Sequence, residues 1–156
     1  YATVAQDEAM LDWIRIQTCG LGVAVPSDHP LAGRKSVAME ALADQPFIVV
    51  PGSSRSPAFG LPHELCQKAG FEPQIVQEVS TVTSQLNLIS VGMGIALMPI
   101  GRDFLYPSTV SVVPLENVSY STSFIFGWLK GRRTPALDHM IEIIETFAEK
   151  PRSAND

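Results

Sequence analysis

Strand-like and helix-like segments alternate through the middle of this chain, and that alternation is what most constrains its fold. Short apolar runs predict strands at residues 47–50, 74–79 and 95–98. Between them, amphipathic stretches predict helices from about residue 57 to 69 and near 82–91, each followed by a helix-ending glycine. Crossovers of this length allow neighbouring strands to pair in parallel. The sequence therefore predicts an α/β sheet with helices on both faces.

The segments on either side of this region extend the pattern. Apolar or alternating runs predict further strands at residues 1–5, 13–18, 21–26, 111–115 and 122–130. Ser36 is expected to cap a short helix that carries Val37, Met39 and Leu42. Pro99 is expected to end the strand that begins at residue 95.

The last helix has the strongest sequence signals. Thr134 occupies the N-cap position and Pro135 the first helical position, where proline is favoured. One face is apolar and consists of Leu137, Met140, Ile141, Ile144 and Phe147.

Composition and charge narrow the functional classes. The chain has 156 residues, of which 46% are hydrophobic, enough to bury a substantial core. Its 11 Lys and Arg against 16 Asp and Glu give a net charge of −5, which argues against a surface that neutralises many DNA phosphates. We interpret Lys130, Arg132 and Arg133 as a solvated turn, because three cations are too few for a nucleic-acid footprint.

The cysteines and histidines, which most often bind metals or take part in redox chemistry, are not spaced as in a metal or redox site. Cys19 and Cys66 lie far apart and are expected to be reduced thiols. His29, His63 and His139 lack the spacing that would place two ligands on one helical face. No metal, cofactor or catalytic residue is therefore assigned.

Two loops that follow successive predicted strands carry hydroxyl groups. Loops at the carboxyl ends of parallel strands line the ligand crevice of open α/β sheets. Hydroxyls and backbone N–H groups near a helix start, together with an arginine, are the groups that bind a carboxylate. The candidate ligand-binding residues are Ser53, Ser54 and Arg55 in the first loop and Ser80, Thr81 and Thr83 in the second.

Two other interpretations of these loops stay open. Ordinary helix capping would explain one hydroxyl at each helix start. A hydrolase that uses Ser53 or Ser54 is less favoured, because the loop lacks the GxSxG pattern and His63 falls inside the predicted helix.

Five segments in order carry a family resemblance. They are VAVPSDHPLAGR (23–34), MEALADQPFIVVP (39–51), AGFEPQIVQEV (69–79), LISVGMGIALMP (88–99) and PALDHMIEIIETFAE (135–149). Together they resemble the effector-binding domain of LysR-type transcriptional regulators. The resemblance extends from about residue 1 to 149.

The resemblance implies a fold like that of the type 2 periplasmic binding proteins, with two Rossmann-like α/β lobes joined by two hinge strands. The hinge strands would be LGVAVP and TSFIFGW. Residues 26–121 would form a complete regulatory subdomain II, and residues 1–25 with 122–156 an incomplete subdomain I. Matching loop positions imply effector contacts in the cleft between the lobes from Ser53, Ser54, Arg55, Phe59, Ser80, Thr81 and Thr83.

The function implied by the resemblance is that of a sensor and not of an enzyme. A small effector, expected to be an anion, would bind this chain, while DNA would be bound only through an N-terminal domain that the chain lacks. The full-length protein would be a cytoplasmic homo-oligomer without a membrane segment. A solute-binding transport protein or an enzyme on the same fold is the alternative. Sparse titratable groups near the two loops, with Glu78 the nearest carboxylate in sequence, disfavour the enzyme.

Overall fold

The chain divides into two compact units. The computed structural model describes residues 10–51, 61–101, 104–118, 120 and 122–148, so the strand end expected at residues 1–5 lies outside the described residues. The larger unit contains the described residues of Gly20–Tyr120, and the smaller unit contains those of 10–19 and 122–148. The subdomain boundaries at residues 26 and 121 stay a prediction.

Ten elements make up the described residues. In chain order they are β1 (Leu11–Pro26), a 3-10 helix (Met39–Leu42), β2 (Pro46–Val49), α1 (Leu61–Lys68), β3 (Gln74–Glu78), α2 (Val82–Ser90), β4 (Ala96–Ile100), β5 (Val110–Pro114), β6 (Thr122–Leu129) and α3 (Pro135–Phe147). The expected alternation of strands and helices through the middle of the chain is therefore present.

The strands of the larger unit lie in the order β3–β2–β4–β1–β5. β2 and β3 are parallel, and a single parallel bridge between Phe47 and Ile95 joins β2 to the start of β4. β1 is antiparallel to both β4 and β5. The sheet is thus mixed: its crossovers give parallel pairs, while β1 comes from outside the alternating region and runs the opposite way.

Both faces of this sheet are buried under helices. Phe47 belongs to a core cluster with Leu42 and Cys66, on the side of α1 and the 3-10 helix. The next residue, Ile48, belongs to a second cluster with Ile89 of α2. Because side chains alternate across a strand, consecutive buried residues show that β2 is covered on both sides, as the apolar run at this strand indicates.

The smaller unit combines the first part of β1 with β6 and α3. The antiparallel register runs from Leu11 opposite Leu129 to Cys19 opposite Thr122. The Thr134 hydroxyl accepts a hydrogen bond from the Leu137 N–H, which confirms the predicted cap.

Only part of the expected apolar stripe on α3 is buried. Ile141 is buried, whereas the side chains of Met140 and Phe147 are 50% and 69% exposed. Within the described residues, the strands of this unit are the single pair of β1 and β6.

Two expected element boundaries are wrong for local reasons. The Ser36 hydroxyl donates to a Glu116 carboxylate oxygen at 2.6 Å instead of capping a helix, and the N-cap position falls at Ala38. Pro99 does not end β4, which continues to Ile100. The Pro99 carbonyl accepts from the Tyr106 hydroxyl, so the nitrogen that lacks a hydrogen faces away from β1 and leaves the pairing intact.

Gly22 lies in β1 where β4 and β5 approach from both sides. A Cβ at this position would be 2.2 Å from Ile100 Cδ1 and 2.7 Å from the Val113 carbonyl oxygen. We expect Gly22→Ala to lower the free energy of unfolding by about 1–3 kcal/mol, because backbone must move to admit the methyl group. The urea midpoint measures this change.

Gly20→Ala on the same strand is the matched control for this variant. A Cβ there meets no atom of the described residues within 4 Å. Equal losses of stability in the two variants would show that close approach of the flanking strands is not what requires glycine at position 22.

The thiol of Cys66 is buried in the first core cluster. Burial, with a smaller contribution from the negative charge of Glu72, raises its pKa from 9.0 to about 11. Because the folded-state pKa is the higher one, the contribution of this group to stability is complete below pH 9 and is lost as the pH rises towards 11.

We expect Cys66 to react with Ellman's reagent at pH 8 about 100-fold more slowly in the folded protein than in the unfolded one. The thiolate is the reactive form, and the raised pKa lowers its population. A Cys19→Ala background isolates the signal of Cys66. Equal rates in the folded and unfolded states would contradict the buried, protonated thiol.

Candidate functional site

The carboxyl ends of β2 and β3 lie side by side. Their parallel register runs from Pro46 opposite Gln74 to Val49 opposite Glu78. One residue further, the Val79 N–H donates to the Val49 carbonyl oxygen at 2.9 Å. The two loops with hydroxyl groups therefore leave the sheet from the same edge, as expected for a ligand site of an α/β sheet.

The second loop leads into α2 through a hydroxyl cap. The Thr81 Oγ1 accepts from the Ser84 N–H at 3.1 Å and donates to the Ser84 hydroxyl at 2.9 Å. Capping thus explains Thr81. Ser80 and Thr83 are also exposed, and the cap does not require their hydroxyls, so these two side chains are available to a ligand.

The first loop lies outside the described residues. Ser53, Ser54, Arg55 and Phe59 fall between Pro51 and Leu61, so their roles stay a prediction. What the structure establishes is where the loop starts and ends: it leaves the carboxyl end of β2 and leads to α1.

Gln85 is a residue of this region that the sequence patterns did not single out. It lies on α2 with only 6% of its surface exposed, and its Nε2 donates to the Ile48 carbonyl oxygen at 2.6 Å. The available signal was a polar residue on the apolar face of the helix, where Val82, Leu86 and Ile89 also lie.

Among the histidines and basic residues considered as candidates, His29 and Arg133 have polar partners within the chain. His29 accepts from the Leu31 N–H through Nδ1 and contacts the Gln45 side chain through Nε2. Arg133 pairs with Asp138 at 2.6 Å, with both side chains about half exposed. Within the described residues, no three His, Cys, Asp or Glu side chains come together as a metal site.

A helix long and apolar enough to cross a membrane does not occur among the described residues.

Comparison with known families gives a match over almost the whole chain. The model of the LysR substrate binding domain matches residues 3–148. The HTH-type transcriptional regulator AlsR of Bacillus subtilis is 27% identical over 78% of this chain and 40% of its own length. TtuA of Agrobacterium vitis, also an HTH-type transcriptional regulator, is 30% identical over 82% of this chain and 43% of its own length. The chain thus spans about two fifths of the curated relatives that it matches.

Solved structures give the same answer for the fold. The effector-binding domain of QuiR, solved in complex with shikimate, matches with a TM-score of 0.68 at 22% identity, over 94% of this chain and 69% of that one. The expected α/β fold of the periplasmic-binding-protein type is therefore confirmed. The chain belongs to the family of LysR substrate-binding domains.

Proposed function

We propose that this chain is the ligand-sensing regulatory domain of a LysR-type transcription factor, and that it binds a small anionic effector at the edge where β2 and β3 end. The observation that carries the proposal is the shared exit of the two loops, tied together by the hydrogen bond from Val79 to Val49. Both relatives described above are transcriptional regulators.

The chemistry of the loops supports an anion. Ser53, Ser54 and Arg55 follow β2 by only four to six residues, so the extended chain keeps them within about 20 Å of Val49. An arginine and several hydroxyls provide donors for a carboxylate, and Phe59 adds an aromatic surface. QuiR binds shikimate, which is a carboxylate.

Binding would regulate by shifting a conformational equilibrium. An effector that prefers one conformation increases its population, and the change in DNA affinity equals the difference in effector affinity between the two states. DNA would be bound through a separate domain of a cytoplasmic homo-oligomer. The chain itself would act as a sensor and not as a catalyst.

Thermal shift with matched ligands tests the charge preference. Benzoate and shikimate should raise the melting temperature of the full-length protein, because a ligand that binds only the folded state stabilises it by RT ln(1 + [L]/Kd). Benzamide and benzylamine, which keep the ring but are neutral and cationic, should not. A response to those two compounds alone would contradict an anionic effector.

Arg55→Ala should weaken benzoate binding about 10- to 100-fold, the range expected for a hydrogen bond to a charged group. Isothermal titration gives the dissociation constants. Lys68→Ala is the matched control, because it removes one positive charge from an exposed side chain that pairs with Glu64. Equal effects of the two substitutions would show that Arg55 acts only through the overall charge.

A further inference from the structure

We propose that Gln85 is a positioning residue for the effector site, which holds the loop of Ser80–Thr83 against the end of β2. The inference rests on the proposed function for its effect on binding. Its structural basis is the hydrogen bond from Gln85 Nε2 to the Ile48 carbonyl oxygen at 2.6 Å.

Ile48 provides a backbone acceptor that the sheet does not use. The N–H of Ile48 donates to the Ile95 carbonyl oxygen at 2.8 Å, so Ile48 directs its polar groups towards β4. The bridge between Phe47 and Ile95 is isolated, and the ladder between β2 and β4 ends there. The amide of Gln85 takes the place that the next strand residue would otherwise occupy.

The Ile48 carbonyl oxygen needs a donor from the protein because its surroundings are buried. Ile48 is fully buried and packs in the second core cluster with Ile89 of the same helix. A buried carbonyl without a partner loses its hydration and gains nothing in return. An apolar residue at position 85 would fit the helix pattern but would leave this oxygen unsatisfied.

Two hydrogen bonds therefore bracket the second loop. Val79 N–H binds the Val49 carbonyl at one end, and Gln85 Nε2 binds the Ile48 carbonyl at the other. Both acceptors belong to the last two residues of β2, the strand from which the first loop departs. Between the two bonds lie Ser80, Thr81 and Thr83. Their position relative to the exit of the first loop thus depends on Gln85.

Hydrogen exchange of the ligand-free, full-length protein tests directly whether Gln85 holds the second loop in place. The amides of Ser84 and Gln85, which donate to Thr81, report on the start of the helix. Gln85→Leu should speed their exchange about five- to tenfold, and that of residues 86–90 less. Ile89→Val is the control, because it removes one methyl group from a fully buried residue of the same helix without removing the bond. It should affect residues 86–90 at least as much as residues 84 and 85. A change below twofold at residues 84 and 85 in Gln85→Leu would overturn the proposal.

Gln85→Glu separates hydrogen bonding from packing. A protonated carboxyl group can donate to the Ile48 oxygen, whereas a carboxylate cannot. Relative to the natural protein at the same pH, this variant should exchange normally near pH 4, below the ordinary pKa of a glutamic acid, and rapidly near pH 8. Loss of protection that is equal at both pH values, as in Gln85→Leu, would show that only the shape of the side chain matters.

Benzoate titration then tests the effect on the site. Gln85→Leu should raise the dissociation constant about tenfold, while Ile89→Val should leave it within twofold. Faster exchange with unchanged benzoate affinity would overturn the positioning role. If benzoate and shikimate fail to bind the natural protein, the proposed function fails, but the exchange experiments still decide whether Gln85 holds the loop.

Discussion

The backbone pairing of β1 is the constraint on which the rest of the structure depends. This strand of 16 residues pairs with β6 over its first part and is then flanked by β4 and β5. Successive side chains of β1 point to opposite faces of the sheet and so contribute to both core clusters of the larger unit. Val23 and Val25 belong to the first cluster and Ala24 to the second. A shift by one residue would exchange these faces, so register and packing fix each other. Gly22 is a glycine because the Ile100 side chain and the Val113 carbonyl oxygen occupy the space that a Cβ would need.

The candidate site arises where this regular pairing stops. β2 pairs with β3 along its length, and the Val49 carbonyl accepts from the Val79 N–H as the last bond of that ladder. Towards β4 the pairing ends at the bridge between Phe47 and Ile95, so the Ile48 carbonyl needs another donor, which Gln85 of α2 supplies. The end of a buried strand is therefore bonded to the start of a helix, and the hydroxyl loop between them is held at both ends.

Sequence patterns predicted what depends on neighbouring residues and missed what depends on distant ones. Thr134 caps α3 as expected, because a cap involves residues three positions apart. Ser36 does not cap a helix, because Glu116, 80 residues away, accepts its hydroxyl. Pro99 is tolerated within β4 because its nitrogen, which has no hydrogen to donate, faces away from β1. Gln85 had no local signal beyond its polarity, since its acceptor lies 37 residues earlier in the chain.

Charge at the proposed site must act over a short distance. The whole chain carries −5, and the segment 51–101 contains only two cations, Arg55 and Lys68, against three carboxylates. Lys68 pairs with Glu64 at 2.6 Å on an exposed helix face, where an ion pair contributes little. The net charge of the chain therefore provides no long-range attraction for an anion, and the proposed affinity rests on direct hydrogen bonds. Direct bonds require donors at fixed positions. For this reason an uncharged residue that would hold the hydroxyl loop in place, as proposed for Gln85, can matter as much as the arginine that would meet the charge.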